Sequence, residues 1–197
     1  ASNAWREMYV YAPPGYDKSS EKYPVMYLLH GGGEDQRGWA TQGRTDVILD
    51  NLIAENKAKP MLIVMVDGNF YGNGGGVAGF GMQQLNQFEN ELKNAVIPFV
   101  EANFRTLTDA KNRALAGLSM GGLQTLHAGV RNSDMFGYLG VFSSGWWSNN
   151  AKLSDPQYEF MQANKDKINT NIQQFWISQG GKEDIAHANC QIMMKKF

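Results

Sequence analysis

A chain of 197 residues, 43% of them hydrophobic and 12% aromatic, is long enough for one domain with a sizeable core, which excludes a disordered chain. Its formal net charge of −1 gives no electrostatic reason to expect nucleic acid or an anionic membrane surface as partner and favours small or uncharged ones. The one cysteine, Cys190, excludes an intrachain disulfide, and no stretch is apolar over the length of a membrane span.

In chain order, residues 5–11 alternate bulky and polar side chains and stop at two prolines and a glycine, which predicts an early, partly exposed strand. Residues 25–29 form an unbroken apolar run, the pattern of a strand covered on both faces, and lead straight into Gly31, Gly32 and Gly33. Segments 61–68, 113–119, 138–145 and 175–181 repeat that design, each closing on Gly, Ser or Asp. Helical spacing predicts helices over 47–54, 88–100, 120–130, 156–168 and 185–197, with Pro98 expected to kink the second or to follow a local break in it. Strand and helix alternate, so the expected fold is α/β, a mainly parallel sheet with helices on both faces, in a single domain over 1–197. The glycine-rich segment 68–81 reads equally as a surface connection or as a loop bordering a cleft.

The chemistry concentrates at "AGLSMGG", residues 116–122. With 22 glycines in the chain the G-x-S-x-G motif alone is weak, so its context decides. Ser119 falls where an apolar strand meets a helix, with Gly117 and Gly121 at the two positions where a side chain would clash in a tight turn: the setting of a nucleophile elbow. The helix that begins at Met120 aims unpaired N–H groups at any oxyanion formed there. A second donor is expected from "LLHGGGED", where one of Gly31, Gly32 and Gly33 can bring its N–H close to a substrate, and Gly32 is taken as that donor. No Walker-type lysine follows, so a phosphate loop is the poorer reading.

A serine nucleophile needs a base, and the base an orienting acid. After the strand ending near Gln179, Asp184 is the candidate acid and Glu183 its competitor. Three histidines are available. His30 belongs to the glycine loop, and His127 lies inside the helix behind the elbow. His187 shares a helical face with Asp184, where it could bond to it or simply face solvent. Neither metal nor cofactor is expected, since His187 and Cys190 would offer only two ligands on one helix. Among the aromatic residues that follow strand ends, Phe70, Tyr71 and Phe80 are given no role, while Trp39, Trp146 and Trp147 are taken as substrate-facing, the last two because "SSGWWSNN" is otherwise polar.

Taken together, "VYAPPGYD", "YPVMYLLHGGGEDQRGW", "NLIAENKAKPMLIVMVDGN", "ELKNAVIPFVEANF", "RALAGLSMGGLQTL" and "GGKED" resemble the esterase D-like branch of the alpha/beta hydrolases. The chain is most similar to carbohydrate esterases of family one, the feruloyl and acetyl xylan esterases. The resemblance implies hydrolysis of feruloyl or acetyl esters on plant cell-wall xylan or its oligosaccharides, with Ser119 as nucleophile, Asp184 as acid, and Met120 with the glycine loop as oxyanion hole. It implies a secreted or periplasmic site of action and neighbouring glycoside hydrolase modules. The family's histidine follows one further strand, so the base is expected beyond Phe197 and the fold is expected to be incomplete at its C-terminus. The competing expectations are another acyl hydrolase of the branch, such as an S-formylglutathione hydrolase or a siderophore esterase, an acyltransferase, or a non-catalytic carbohydrate-binding homologue.

Overall fold

A computed structural model describes residues 5–69, 81–146 and 150–197. Its strands are β1 (Met8–Tyr11), β2 (Val25–Leu29), β3 (Leu62–Val66), β4 (Arg113–Leu118), β5 (Tyr138–Phe142) and β6 (Gln174–Ser178). They form one sheet in the order β1-β3-β2-β4-β5-β6, with β1 antiparallel to β3 and every other pair parallel. All five residues of β3 are buried, as an unbroken Leu-Ile-Val-Met-Val run covered on both faces requires.

Successive strand residues point to opposite faces, and two cores result. Leu62, Val64 and Val66 of β3 join Leu29, Leu115 and Val141 in the larger one. Ile63 and Met65 join Leu28 and Ala116 in the smaller one. Helices α1 (Gly38–Thr41) and α2 (Thr45–Ala54) cover the smaller core through Trp39, Leu49 and Ile53. The larger is covered by α3 (Met82–Glu91), α4 (Ile97–Asn103), α5 (Met120–Arg131), α6 (Ala151–Ala163), α7 (Lys165–Asn171) and α8 (His187–Met194). The fold is thus the expected mainly parallel sheet sandwiched between helices.

Helix boundaries differ from expectation, most of all around α3, Pro98 and α6. The helix predicted from residue 88 begins at Met82, because Leu85, Phe88 and Leu92 share one buried stripe at intervals of three and four. Pro98 does not break it: a π-helical segment, Leu92–Val96, comes immediately before. A proline lacks its N–H and crowds the carbonyl four residues back, and a wider turn there takes up both defects. Pro156, read as a helix start, lies inside α6, and the expected helix 156–168 is broken at Asn164, where α6 ends and α7 begins.

Register matters most for function. Leu29 lies beside Val66 and Gly117, Leu118 beside Phe142, and Phe142 beside Ser178. The carboxyl ends of five strands therefore stop nearly in line, and the loops after them open on one edge of the sheet, where ligands of such sheets collect.

Candidate active site

Ser119 joins β4 to α5 with φ 51° and ψ −109°. A residue with a side chain rarely holds positive φ, and the strain is of order 1–3 kcal/mol. Its neighbours hold it there. Ser119 N–H donates to the Phe142 carbonyl at 2.8 Å, and the Ser119 carbonyl accepts from Leu123 N–H at 3.0 Å and from the Ser144 hydroxyl at 2.7 Å. The flanking glycines are dictated by space: a Cβ on Gly117 would lie 2.3 Å from the Gly121 backbone, and one on Gly121 would lie 2.7 Å from the His30 carbonyl and the Leu29 Cβ. Gly121 N–H bonds to the His30 carbonyl at 3.2 Å. Met120, as the first residue of α5, has an N–H with no partner inside the helix, at the positive end of its dipole.

The glycine loop lies against this elbow. Glu34 N–H bonds the Gly31 carbonyl at 3.3 Å and Gly33 has φ 87°, a turn whose third position calls for glycine. Gly31 N–H is already spent on Glu34 Oε2 at 2.9 Å. That leaves Gly32 and Gly33, both exposed, as the residues able to present a second donor.

His30 braces the loop from below. It is buried, with Nδ1 2.7 Å from the Gly31 carbonyl, so Nδ1 carries a proton. Nε2 lies 2.9 Å from Gly68 N–H and 3.2 Å from Asp67 Oδ1. Neutral imidazole accepts from Gly68, whereas the protonated ring donates to Asp67. Burial pushes its pKa down, but Asp67 and the Gly31 carbonyl outweigh it and the net shift is upward. His30 thereby ties the end of β2 to the end of β3.

Asp184 stands in the loop between β6 and α8. Its Oδ2 accepts from Gly180 N–H and its Oδ1 from Ala186 N–H, both at 2.8 Å. Ser143 and these two N–H groups, in that order, hold the carboxyl below its usual range. Glu183 is exposed. His187 does not bond to the Asp184 carboxylate in the manner of a base and its acid: its backbone N–H meets the Asp184 carbonyl at 2.9 Å, and its buried Nδ1 has no hydrogen-bond partner. His127 lies behind the elbow, as its position in the helix implies. Its Nδ1 accepts from Gln157 Nε2 at 2.9 Å, and its Nε2 sits 3.2 Å from Glu89 Oε2.

Two residues that sequence reasoning passes over connect the end of β6 to the elbow. Ser143 and Ser144 follow β5, which lies between β4 and β6; Ser143 N–H donates to the Ser178 carbonyl at the end of β6, on the side of the Asp184 loop, and the Ser144 hydroxyl donates to the Ser119 carbonyl. The signal available was a pair of hydroxyls closing an apolar strand.

The tryptophans divide. Trp39 donates its indole N–H to the Leu29 carbonyl at 2.9 Å and meets Phe142 edge-on at 6.3 Å, so it braces the strand end while staying partly exposed. Trp146 departs from the expectation of a cleft residue. It is 0% exposed, edge-on to Tyr158 at 5.1 Å and tilted against Phe197 at 5.9 Å, and has no face free for a ligand. Trp147 lies outside the described residues, as do Phe70, Tyr71 and Phe80.

A family model described as "Putative esterase" matches residues 2–195. The chain belongs to this esterase family. Individual relatives share that esterase character. The chain is 39% identical over 175 residues, 83% of its length, to an endo-1,4-beta-xylanase/feruloyl esterase of Xylanibacter ruminicola, and 28% identical over 95% of its length to endo-1,4-beta-xylanase Y of Acetivibrio thermocellus. It spans 24% and 17% of those two relatives. Among solved structures, a mutant feruloyl esterase module from Clostridium thermocellum complexed with sinapinate superposes with a TM-score of 0.76 at 26% identity, covering 98% of this chain and 71% of that one. A structure titled FAE gives a TM-score of 0.80 at 26% identity, covering 100% and 69%. These neighbours share the alpha/beta hydrolase fold of the esterase family, and the resemblance to family-one carbohydrate esterases holds.

Proposed function

We propose that this esterase hydrolyses feruloyl, or acetyl, esters on plant cell-wall xylan by covalent catalysis at Ser119. The observation that carries the reading is the strained Ser119 turn, closed by Gly117 and Gly121 at the carboxyl edge of the sheet. Ser119 Oγ attacks the ester carbonyl, and the oxyanion is taken up by Met120 N–H and Gly32 N–H. The sugar alcohol leaves with the proton that the base removed from Ser119, and water then releases the acid from the acyl-enzyme. Asp184 orients the base. His30 and His127 are bound elsewhere and His187 is unpaired with the acid; the resemblance to family-one carbohydrate esterases implies a histidine on a later strand as the base. A polymeric substrate fits secretion or a periplasmic site, and the xylanase names of the relatives fit a neighbouring glycoside hydrolase module.

The test is hydrolysis of methyl ferulate, acetylated xylan and a glutathione thioester by the full natural protein and its Ser119→Ala variant. The reading expects turnover of one of the first two, reduced by at least about a thousandfold in the variant. Preference for the thioester, or turnover unchanged in the variant, would overturn it.

A further inference from the structure

Three consecutive glycines after β2 leave the backbone beside Ser119 many conformations to choose from. An oxyanion donor acts only if it is held in place before the reaction, so something must lock Gly32. Glu34 does so with three of its groups. Its N–H bonds the Gly31 carbonyl at 3.3 Å, its Oε2 accepts from Gly31 N–H at 2.9 Å, and its carbonyl accepts from Asn69 Nδ2 at 2.8 Å. The first two grip Gly31 by both of its backbone polar groups and close the turn in which Gly33 holds φ 87°. The third ties the loop to the end of β3, where Asn69 Nδ2 also bonds Asp67 Oδ1 at 2.7 Å and the Asn69 carbonyl accepts from Arg6 at 2.7 Å. On the opposite side the His30 carbonyl accepts from Gly121 N–H at 3.2 Å, which anchors the loop to the elbow one residue before Gly31. Gly32 follows the pinned residue directly, so its place relative to the Met120 N–H is set by these bonds.

The geometry points to Glu34 as a positioning residue for the reaction: its carboxylate takes the Gly31 N–H and thereby fixes the turn that presents Gly32 N–H to the oxyanion. The proposal rests on the reading of Ser119 as nucleophile and deepens it. The role needs an acceptor at the reach of a glutamate side chain, and it does not need the charge. Glutamine can therefore fill it, whereas alanine cannot.

The experiment compares Glu34→Ala, Glu34→Gln and Ser119→Ala with the parent in the full natural protein, reading kcat and KM on methyl ferulate and the melting temperature. Glu34→Ala should lower kcat at least about tenfold with KM within about twofold, because a displaced donor weakens the transition state and not the bound substrate. Glu34→Gln should recover most of kcat. If Glu34→Ala does not fold, Glu34→Asp, one methylene short of the Gly31 N–H, is read in its place with the same expectation. An unchanged kcat, a loss confined to KM, or a loss in kcat that Glu34→Gln fails to recover would overturn the role of Glu34. No turnover by the parent, or parental turnover in Ser119→Ala, would instead remove the reading beneath it, and the proposal with it.

Discussion

Ser119 and His30 show what single residues contribute. A glycine at 119 would adopt φ 51°, ψ −109° without strain, so Ser119→Gly should raise unfolding free energy by about 1 kcal/mol while abolishing esterase turnover. Urea denaturation beside an activity assay reads both, and a destabilised variant would contradict the strain. Gly121→Ala should fail the other way: its Cβ would need room 2.7 Å from the His30 carbonyl, at a cost of about 1–3 kcal/mol and with the glycine loop displaced. His30 gives a pH dependence. Its pKa is raised above 6.5, so its contribution to stability is fully present below that value and lost as pH rises through the raised pKa. Asp67 is lowered below 3.8: burial opposes the shift, but bonds from His30 and Asn69 outweigh it. Its contribution is present above 3.8 and lost as pH falls through the lowered pKa. The pair should stabilise most between about pH 4 and 6.5, and His30→Gln should flatten the decline above pH 6.5 in denaturation midpoints. A mutant curve parallel to the parent's would contradict this. The tight turn at Ser119 and the glycine loop against it are legible in the sequence because strand-end motifs keep their meaning locally. The burial of Trp146 is not, because Tyr158 and Phe197, far along the chain, decide it.

Elements were legible where one pattern dominated. Strand 25–29 coincides with the apolar run that predicts it, and β4 differs from prediction only at its last residue, since a strand buried on both faces leaves no competing periodicity. Helix ends were less legible, because polar Gln83, Gln84, Asn86 and Gln87 hide the start of α3. Between helices the packing includes a polar knot that no periodicity announces. Glu89 of α3 lies 3.2 Å from His127 of α5 and accepts from Asn132 Nδ2 at 2.8 Å, and Gln157 of α6 bonds His127 from the other side. Burial raises the Glu89 pKa, but His127 and Asn132 more than offset that, and its net shift is downward. Its stabilisation is thus present above the ordinary value of 4.5 and disappears as pH falls through the lowered one. Glu89→Gln should cost about 1–3 kcal/mol at pH 7 and far less near pH 3, as urea denaturation at both values would show. An equal cost at the two pH values would contradict the charged pairing.

At the scale of the molecule, the alternation of strand and helix announced a mainly parallel sheet clothed on both faces, and the structure has one, with β1 its antiparallel edge. The order β1-β3-β2-β4-β5-β6 could not be read in advance, since apolar runs record burial and not which neighbour each strand chooses. That order is what makes the site: it sets β5 between β4 and β6, so that the residues after β5 reach both the Ser119 turn and the end of β6, which leads into the Asp184 loop. The central claim is that this edge of the sheet holds a reactive serine in an esterase. It is tested most directly by treating the full natural protein with a fluorophosphonate and locating the adduct by peptide mass spectrometry. The account predicts one adduct, on the peptide that carries Ser119, absent from the Ser119→Ala variant. No adduct in the natural protein, or one that persists in the variant, would contradict it.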